Sequence, residues 1–553
     1  MQKRQNKHPD PTPWLFLAPS LCGVTLFVLA PFVETVRRSV TDTMGRHFVG
    51  LANYTAVLGN DAFRLAVENT VRFIGVCVPL LLALSLALAL ALRAKGLKNT
   101  SWAEVCRTTF LLPMALPVAS LALLWKVLFA QNGLVNGTFG THCDFMGTDA
   151  AFWVLVGTYL WKNIGYDSIL WSSGLDSIST DLYEAAAVDG ASGWRQFTAI
   201  TLPNLLPTLA VTLVLSLLNT FKVFREAYLV AGAYPEKSIY LLQHLFNNWF
   251  LALDLPRLSA AAILMAGALG GGDRGMHKTA LKKILLFPFV LLVWFPLWFL
   301  LMGTLTGSEE LAATIGPALS GSGQAAWTLL PSYPTLEPAV KLLLDTPEYF
   351  TTYWNTCLQT FPQLAGQLVV GAPAAWALSR LKFRGRGAVR GLYLILMLLP
   401  FQVTMVPAYL TINHLGLMDT VWAVILPGAF STFPVFVMQR GFDAVPLPLL
   451  EAAAIDGATP WQQFARIGLP VGLPGILAAL TMSFLDAWNA LEQPMTFLKT
   501  QSLWSLSLYL TDTTRDLALT MAASLFALLP AVLIFAFGQK YLEQGILAGA
   551  VKG

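Results

Sequence analysis

The chain has 553 residues, of which 56% are hydrophobic and only 12% are charged, and its mean hydropathy is +0.61. A soluble globular domain carries about 25% charged residues, so this composition excludes a water-soluble protein and indicates one that is largely surrounded by lipid. The net charge of +4 reflects basic residues between the apolar runs, and it gives no reason to expect a nucleic acid as a partner.

Apolar runs of the length that crosses a bilayer, about 20 residues, recur along the whole chain. They predict an all-α polytopic membrane protein with about twelve transmembrane helices. The first six lie near Trp14–Val36, Thr70–Leu92, Thr108–Phe129, Phe152–Leu170, Leu205–Val230 and Leu258–Leu269. The second six lie near Ile284–Leu305, Pro362–Leu378, Leu392–Ile412, Val421–Met438, Leu473–Phe497 and Leu519–Phe537.

The distribution of basic residues predicts the orientation of these helices. Lys3, Arg4 and Lys7 precede the first run, which is too long for a cleaved signal peptide and is better explained as a retained anchor. Lys and Arg then cluster in the loops at 93–107, 274–283 and 380–390. Because short cytoplasmic loops are enriched in these residues, both termini are expected in the cytoplasm.

One polar segment occurs twice between apolar runs. "EAAAVDGASGWRQFTAITLP" covers Glu184–Pro203 and "EAAAIDGATPWQQFARIGLP" covers Glu451–Pro470, 267 positions later (451 − 184). Alanine and glutamate favour a helix, Gly190 and Gly457 suit its end, and the closing prolines suit the start of the next span. Each segment therefore predicts a short helix, a turn, a second short helix and re-entry into the bilayer.

The repeat extends beyond this segment. Asn69-Thr70 corresponds to Asn355-Thr356, Leu112-Pro113 to Leu399-Pro400, and Gly133-Leu134 to Gly416-Leu417. With six spans in each half, the halves have the same orientation and form a parallel repeat. We expect a first half at 1–270, a joint at 271–283 and a second half at 284–553. The sixth run, at 258–269, is short for a span.

The repeated segment resembles the EAA motif of the permeases of binding-protein-dependent ABC importers. The surrounding sequence resembles the carbohydrate-uptake branch of that family, which includes the maltose and glycerol-phosphate systems. The resemblance covers nearly the whole chain. In the first half it rests on "FLAPSLCGVTLFVLAPF", "FVGLANY" and "NGLVN", and in the second on "LGLMDT", "FDAVPLPLLEAAAIDGA", "WNALEQP" and "GILAGAVKG". The family normally supplies two permeases as separate chains, so the resemblance implies that both are fused here.

In that family each EAA segment is a coupling helix that docks into a cytoplasmic ATPase subunit through its glutamate. The resemblance therefore implies two ATPase partners, an extracytoplasmic solute-binding protein, a sugar-like substrate, and ATP and Mg on the ATPase rather than on this chain. The chain has no GxxxxGK[ST] loop of its own. The implied coupling residues are Glu184, Ala185, Ala186, Gly190, Glu451, Ala452, Ala453 and Gly457.

Polar residues inside apolar spans are candidates for the substrate pathway, because they are costly in lipid and usually face the protein interior. "WKNIGYDS" supplies Trp161, Asn163 and Tyr166, and "SLLNTFKVFRE" supplies Asn219 and Lys222. Tyr166 and Asn219 also resemble substrate-contacting positions of the maltose-type permease. "DAWNALEQP" supplies the remaining candidates in the second half, Trp488 and Asn489.

These candidates also have purely structural interpretations. Lys162 could pair with Asp167, Lys222 could pair with Glu226, and Trp488 could serve in core packing. The five cysteines show no metal-ligand spacing, so neither a metal site nor a catalytic residue is expected.

Composition and repeat also allow other functions. One is a secondary transporter with two six-helix halves, which would require ion-binding carboxylates near the midplane. Another is an ABC permease for polyols or glycerol phosphate. A third is a sensor or scaffold, which would require a soluble signalling domain. The EAA segments favour the ABC importer.

Overall fold

A computed structural model describes residues 11–43, 46–93, 109–269, 286–320, 324–326, 330–399, 401–511 and 516–545. Throughout these residues the regular structure is helical, and the one β-like contact is an isolated bridge between Thr41 and Phe48. A helix satisfies its backbone hydrogen bonds internally, which is what a chain in contact with lipid requires. The all-α fold predicted from the sequence is confirmed.

The helices of the first half alternate between long apolar segments and short connecting segments. A helical stretch at 109–115 precedes the third long segment, π-helical turns occur at Thr25–Leu29 and Phe197–Thr201, and a 3-10 turn occurs at Lys237–Ile239. The α-helices are Thr12–Val24, Ala30–Ser39, Ala52–Leu58, Asp61–Leu92, Val118–Phe129, Leu134–Phe139, Ala150–Asp176, Thr180–Val188, Gly193–Gln196, Leu202–Asn204, Leu206–Lys222, Phe224–Ala231, Leu242–Leu251 and Leu255–Leu269.

The second half repeats this order, with a longer segment between its first two long helices. Its π-helical turns are Gln367–Gly371 and Phe464–Gly468, and its 3-10 turn is Gln501–Leu503. Its α-helices are Leu286–Thr304, Ser308–Thr314, Gly316–Ser320, Glu337–Leu344, Pro347–Gly366, Ala372–Arg380, Arg386–Leu398, Phe401–His414, Trp422–Ala429, Thr432–Asp443, Leu447–Ile455, Pro460–Gln463, Leu469–Trp488, Glu492–Phe497, Leu506–Tyr509 and Leu517–Gly545.

Seven helical stretches in the described ranges are long and apolar enough to cross a membrane. They are Thr12–Ser39, Asp61–Leu92, Val118–Phe139, Leu206–Ala231, Trp422–Asp443, Pro460–Trp488 and Leu517–Gly538. The Ala150–Asp176 helix has 27 residues but includes the polar Lys162, Asn163 and Asp167. The sequence therefore predicts a multi-pass protein correctly, although some of its spans are polar or short.

Several predicted spans contain a break. The predicted span Leu473–Phe497 ends at Trp488, and a new helix begins at Glu492. Pro494 is the third residue of that new helix, where its missing N–H costs little, whereas inside a continuous helix it would remove a hydrogen bond. The predicted span Val421–Met438 is likewise interrupted at 430–431. Apolar composition alone does not show these breaks.

The repeated Asn residue ties the second long helix of each half to a later loop. Asn69 Nδ2 donates a hydrogen bond to the backbone carbonyl of Tyr240 at 3.0 Å. In the second half, Asn355 Nδ2 donates to the carbonyl of Trp504 at 3.1 Å. An amide side chain is well suited to this role because it donates to backbone groups that a turn leaves unpaired.

The repeated Thr residue completes the same contact. The backbone N–H of Leu242 donates to Thr70 Oγ1 at 3.0 Å, and the N–H of Leu506 donates to Thr356 Oγ1 at 2.7 Å. Each hydroxyl therefore accepts from the first residue of the helix that follows the loop. The Asn-Thr repeat has the same structural role in both halves.

A close contact between neighbouring long helices is also repeated. A Cβ atom added at Gly441 would lie 2.7 Å from the Cα of Gly475, and one added at Gly174 would lie 2.4 Å from Thr208 Oγ1. The positions are equivalent, because 441 − 174 and 475 − 208 both equal the 267-residue offset. Small residues allow membrane helices to approach each other closely.

The two halves are interlocked. The N-terminal helix of the first half packs against the second, where the ring of Phe16 lies 5.3 Å from that of Trp461 and 5.4 Å from that of Phe464. The hydroxyls of Ser20 and Tyr393 are hydrogen-bonded at 2.7 Å. The predicted half boundaries remain a prediction, and the joint at 271–283 lies outside the described residues. The sixth helix is described from Leu255 to Leu269.

Candidate functional site

A cavity of about 290 Å³ lies between the two halves. Its wall combines residues of the Ala150–Asp176 and Leu206–Lys222 helices with residues of the Leu469–Trp488 helix. Its polar and charged lining residues are Thr158, Tyr159, Lys162, Asn163, Tyr166, Asn219, Lys222, Arg225, Glu226, Gln363, Gln367, Ser431, Ser483, Asp486, Asn489 and Glu492.

Five of the predicted pathway residues lie on this wall: Tyr166, Asn163, Asn219, Lys222 and Asn489. The Tyr166 hydroxyl reaches the other half and donates to the sulfur of Met482 at 3.4 Å. Asn163 Nδ2 donates within its own helix to the carbonyl of Tyr159 at 2.8 Å. The structure therefore brings residues from both halves to one cavity.

The two predicted tryptophans lie away from the wall. Trp161 is buried, and its ring packs edge-on against Trp125 at 6.2 Å. Trp488 is also buried, stacks on Phe484 at 5.3 Å, and donates its indole N–H to the carbonyl of Ala527 at 3.0 Å. Packing accounts for the position of both side chains, since neither belongs to the cavity lining.

Two ion pairs cross the cavity from one half to the other. Lys222 Nζ lies 2.7 Å from Asp486 Oδ1, and Arg225 Nε lies 2.7 Å from Glu492 Oε2. The first pair is partly exposed, with 39% and 46% of the side-chain surfaces accessible, whereas the second is largely buried at 16% and 11%. The halves are therefore joined across the cavity by charge as well as by apolar packing.

The ion pairs proposed from the sequence alone are wrong in their partners. Lys162 pairs with Glu226 on the neighbouring helix, not with Asp167, and Lys222 pairs with Asp486 in the other half, not with Glu226. Asp167 instead accepts a hydrogen bond from Ser216 Oγ at 2.6 Å. Spacing along one helix shows which charges share a face, but not which charge the facing helix supplies.

The repeat contained a signal for the cross-half contact that the sequence analysis missed. The 267-residue offset makes Arg225 equivalent to Glu492, and it makes Asn219 and Lys222 equivalent to Asp486 and Asn489. These pairs of positions carry opposite or complementary polar groups on equivalent helices. Gln363 and Gln367 also line the cavity and were missed, because they lie among the apolar residues of a predicted span.

The two EAA segments fold alike. Each first helix, Thr180–Val188 or Leu447–Ile455, ends two residues before a glycine in the left-handed region, Gly190 with φ +74° and Gly457 with φ +81°. In such a helix ending, the chain turns through a residue with positive φ, which glycine adopts without the Cβ clash that other residues incur. The predicted turn is therefore present at both glycines.

Hydrogen bonds repeat around each glycine. The residue after Gly190 donates back to the carbonyl of Ala186 at 2.8 Å, and the residue after Gly457 donates to the carbonyl of Ala453 at 2.9 Å. This is the pattern of a Schellman ending, which satisfies carbonyls that the helix leaves free. A capped short helix, Gly193–Gln196 or Pro460–Gln463, follows in each half.

Both EAA helices present exposed apolar and acidic side chains. Val188 is 87% exposed and Ile455 is 86% exposed, although both are aliphatic. The side chains of Glu184 and Glu451 are also exposed, and within the described part of the chain neither carboxylate forms an ion pair. An exposed aliphatic side chain therefore accompanies an exposed carboxylate on both helices.

Sequence comparison also finds two copies of one unit in the chain. The family described as "Binding-protein-dependent transport system inner membrane component" matches the chain twice, at residues 80–270 and 367–548. The chain belongs to this family. It is a multi-pass inner membrane component of a binding-protein-dependent ABC importer and contains two permease units in one polypeptide.

Individual relatives match about half of the chain. The probable starch degradation products transport permease of Thermoanaerobacterium thermosulfurigenes is 30% identical over 261 residues, covering 46% of this chain and 88% of the relative. The trehalose/maltose transport permease of Thermococcus litoralis is 34% identical over 263 residues, covering 45% and 87%. A bacterial ABC transporter involved in alginate import aligns with a TM-score of 0.41 and 22% identity, covering 47% of this chain and 94% of that one.

Proposed function

We propose that this single chain forms the complete membrane pathway of an ATP-driven importer for neutral sugars or oligosaccharides. The observation that carries the proposal is the cavity between two permease units, each of which presents its own EAA helix. The relatives named for starch degradation products and for trehalose and maltose support a carbohydrate substrate.

The charges on the cavity wall favour a neutral solute. Lys162, Lys222 and Arg225 are matched by Glu226, Asp486 and Glu492, so the wall carries three charges of each sign. A phosphate ester would need an excess of positive charge to replace its hydration. The hydroxyl groups of a sugar, in contrast, can donate and accept hydrogen bonds along a wall with balanced charges. We therefore favour sugars over glycerol phosphate.

The energy for transport comes, in this proposal, from two copies of a cytoplasmic ATPase that bind ATP and Mg, while this chain binds no cofactor. Glu184, Ala185, Ala186 and Gly190 form one docking site, and Glu451, Ala452, Ala453 and Gly457 form the other. The alanines keep the helix surface shallow, the glutamates supply a charged anchor, and the glycines fix the turn that follows. Exposure of both helices supports this assignment.

The remaining partner is an extracytoplasmic solute-binding protein that delivers the sugar to the outer side. In this proposal both EAA helices lie in the cytoplasm, where the ATPase docks. The N- and C-termini lie on the same side. Enrichment of Lys and Arg in the loops on that side supports this orientation.

Uptake into vesicles tests the proposal. The chain is reconstituted with a candidate ATPase and a candidate solute-binding protein from the same organism, and uptake of maltose, trehalose and maltooligosaccharides is measured with internal ATP. We expect uptake of at least one of these sugars that depends on ATP and on the binding protein. Uptake driven by an ion gradient without ATP would contradict the proposal and favour a secondary transporter.

Substitutions on the cavity wall are expected to weaken transport without disturbing assembly. Each of Asn163→Ala, Tyr166→Phe and Asn219→Ala removes a hydrogen-bonding group, and a lost hydrogen bond costs about 1 kcal/mol, or several-fold in uptake. The matched control is Gly157→Ala on the helix that carries Asn163 and Tyr166, where an added Cβ has nothing within 4 Å. Unchanged uptake kinetics in a variant that combines all three substitutions would show that these residues only pack helices.

A further inference from the structure

Arg225 and Glu492 occupy equivalent positions in the two halves. The 267-residue offset that relates them also relates Glu184 to Glu451 and Pro203 to Pro470, and it is maintained without a gap between these points. Parallel halves are related by a pseudo-two-fold axis along the membrane normal. Two equivalent side chains can touch only close to such an axis, so their 2.7 Å contact marks where the axis passes.

The pair lies far from the EAA helices. From Pro203 to Arg225, and from Pro470 to Glu492, the chain advances 22 residues (225 − 203 and 492 − 470) in largely helical structure. At about 1.5 Å per residue this corresponds to roughly 33 Å, against a hydrocarbon core of about 30 Å. The Arg225–Glu492 pair therefore lies far from the EAA helices, towards the opposite face of the membrane.

Lys222 and Asp486 form a second layer one helical turn closer to the EAA side. Lys222 precedes Arg225 by three residues. Asp486 precedes Glu492 by six residues, but the helix is interrupted at 489–491 between them. This pair is more exposed than the Arg225–Glu492 pair, and both pairs line the cavity. A solute moving along the axis from the outer side would meet the buried pair first and the exposed pair next.

We propose that Arg225–Glu492, backed by Lys222–Asp486, is the outer gate of the pathway. The gate is closed in this structure and opens when the halves separate at that face. Separated partners would enter water, which restores the hydration that burial removes and so lowers the cost of opening. The inference rests on the proposed function only for the direction of transport; the gate itself is a contact between halves.

Thiol labelling tests the gate without any ATPase or solute. The five cysteines are replaced by serine and Leu218→Cys is introduced. This puts a thiol on the cavity wall, one helical turn closer to the EAA helices than Lys222. In intact cells, a membrane-impermeant maleimide is added from outside to the chain with the native pair, to Arg225→Gln, to Glu492→Gln, and to the exchange Arg225→Glu with Glu492→Arg. Amounts in the membrane are matched by immunoblot.

Labelling of both single variants is expected to be at least about tenfold faster than that of the native pair, because a buried charge loses its partner. The exchanged pair restores the opposite charges and should label slowly again. The control is Arg257→Gln, which breaks an ion pair with Asp254 at 3.2 Å within one half and should leave the rate unchanged. Equal rates in all variants, or fast labelling of the exchanged pair, would overturn the gate. If all variants are labelled slowly while ATP-driven uptake is normal, the gate is overturned and the proposed function stands. If uptake is absent while labelling follows the expected pattern, only the proposed function is contradicted.

Discussion

Glu184→Ala combined with Glu451→Ala is expected to abolish stable association with the ATPase and its solute-stimulated ATP hydrolysis. Both carboxylates are exposed in the isolated chain, so docking would bury them against the partner. Removing one member of a desolvated charge pair costs about 3–5 kcal/mol. Two such losses act on one ATPase dimer, and the double variant should therefore be far worse than either single variant. The measurements are co-purification of the ATPase and stimulated ATP hydrolysis.

The control for this experiment lies on the same helix. Asp181→Ala removes an acidic residue from the first turn of the first EAA helix, and the equivalent position in the second half is Pro448. An acidic residue without a counterpart is not part of the duplicated contact, so this variant should retain docking. Full stimulation of the ATPase by the double glutamate variant would show that the EAA segments are ordinary loops.

Gly441→Val is expected to destabilise the membrane domain itself. Its Cβ would lie 2.7 Å from the Cα of Gly475, and it is the backbone rather than a flexible side chain that blocks the space. The helices Thr432–Asp443 and Leu469–Trp488 would have to move apart. Overpacking of this kind costs about 1–3 kcal/mol, and more when the backbone is the obstacle. The readout is the thermal midpoint of the detergent-solubilised chain, together with its amount in the membrane.

A matched substitution separates crowding from the effect of valine on a helix. Gly387 lies in the Arg386–Leu398 helix, and a Cβ added there has nothing within 4 Å. Gly387→Val should therefore change the midpoint little, because helix propensity differs by less than about 1 kcal/mol between these residues. Equal midpoints for both variants would contradict the close helix contact.

Local structure was the part most fully predictable from the sequence. The EAA segments contain the residues that determine their local structure: alanines that favour a helix, glycines that adopt the positive φ at 190 and 457 without a Cβ clash, and prolines at the start of the next helix. The Asn-Thr repeat was found in the sequence, but its hydrogen bonds to a loop more than 140 residues away were not. Long-range partners are chosen by tertiary packing, which local patterns do not record.

The residues around the candidate cavity were also only partly predictable from the sequence. Polarity inside an apolar span led to Tyr166 and Lys222, and both residues lie on the wall of the cavity. Trp161 and Trp488 each carry a polar indole N–H, yet their large apolar rings are accommodated in the core. The pairing of Arg225 with Glu492 depends on how two halves meet, and it becomes visible only when the repeat register is combined with the three-dimensional arrangement.

The mass of the intact complex tests the central claim most directly, namely that one polypeptide supplies both permease units. Native mass spectrometry of the complex purified with its ATPase should show one copy of this 60.2 kDa chain with two copies of the ATPase. Each ATPase would then occupy one EAA helix. Particles that contain two copies of this chain, or one chain with a single ATPase, would contradict the account.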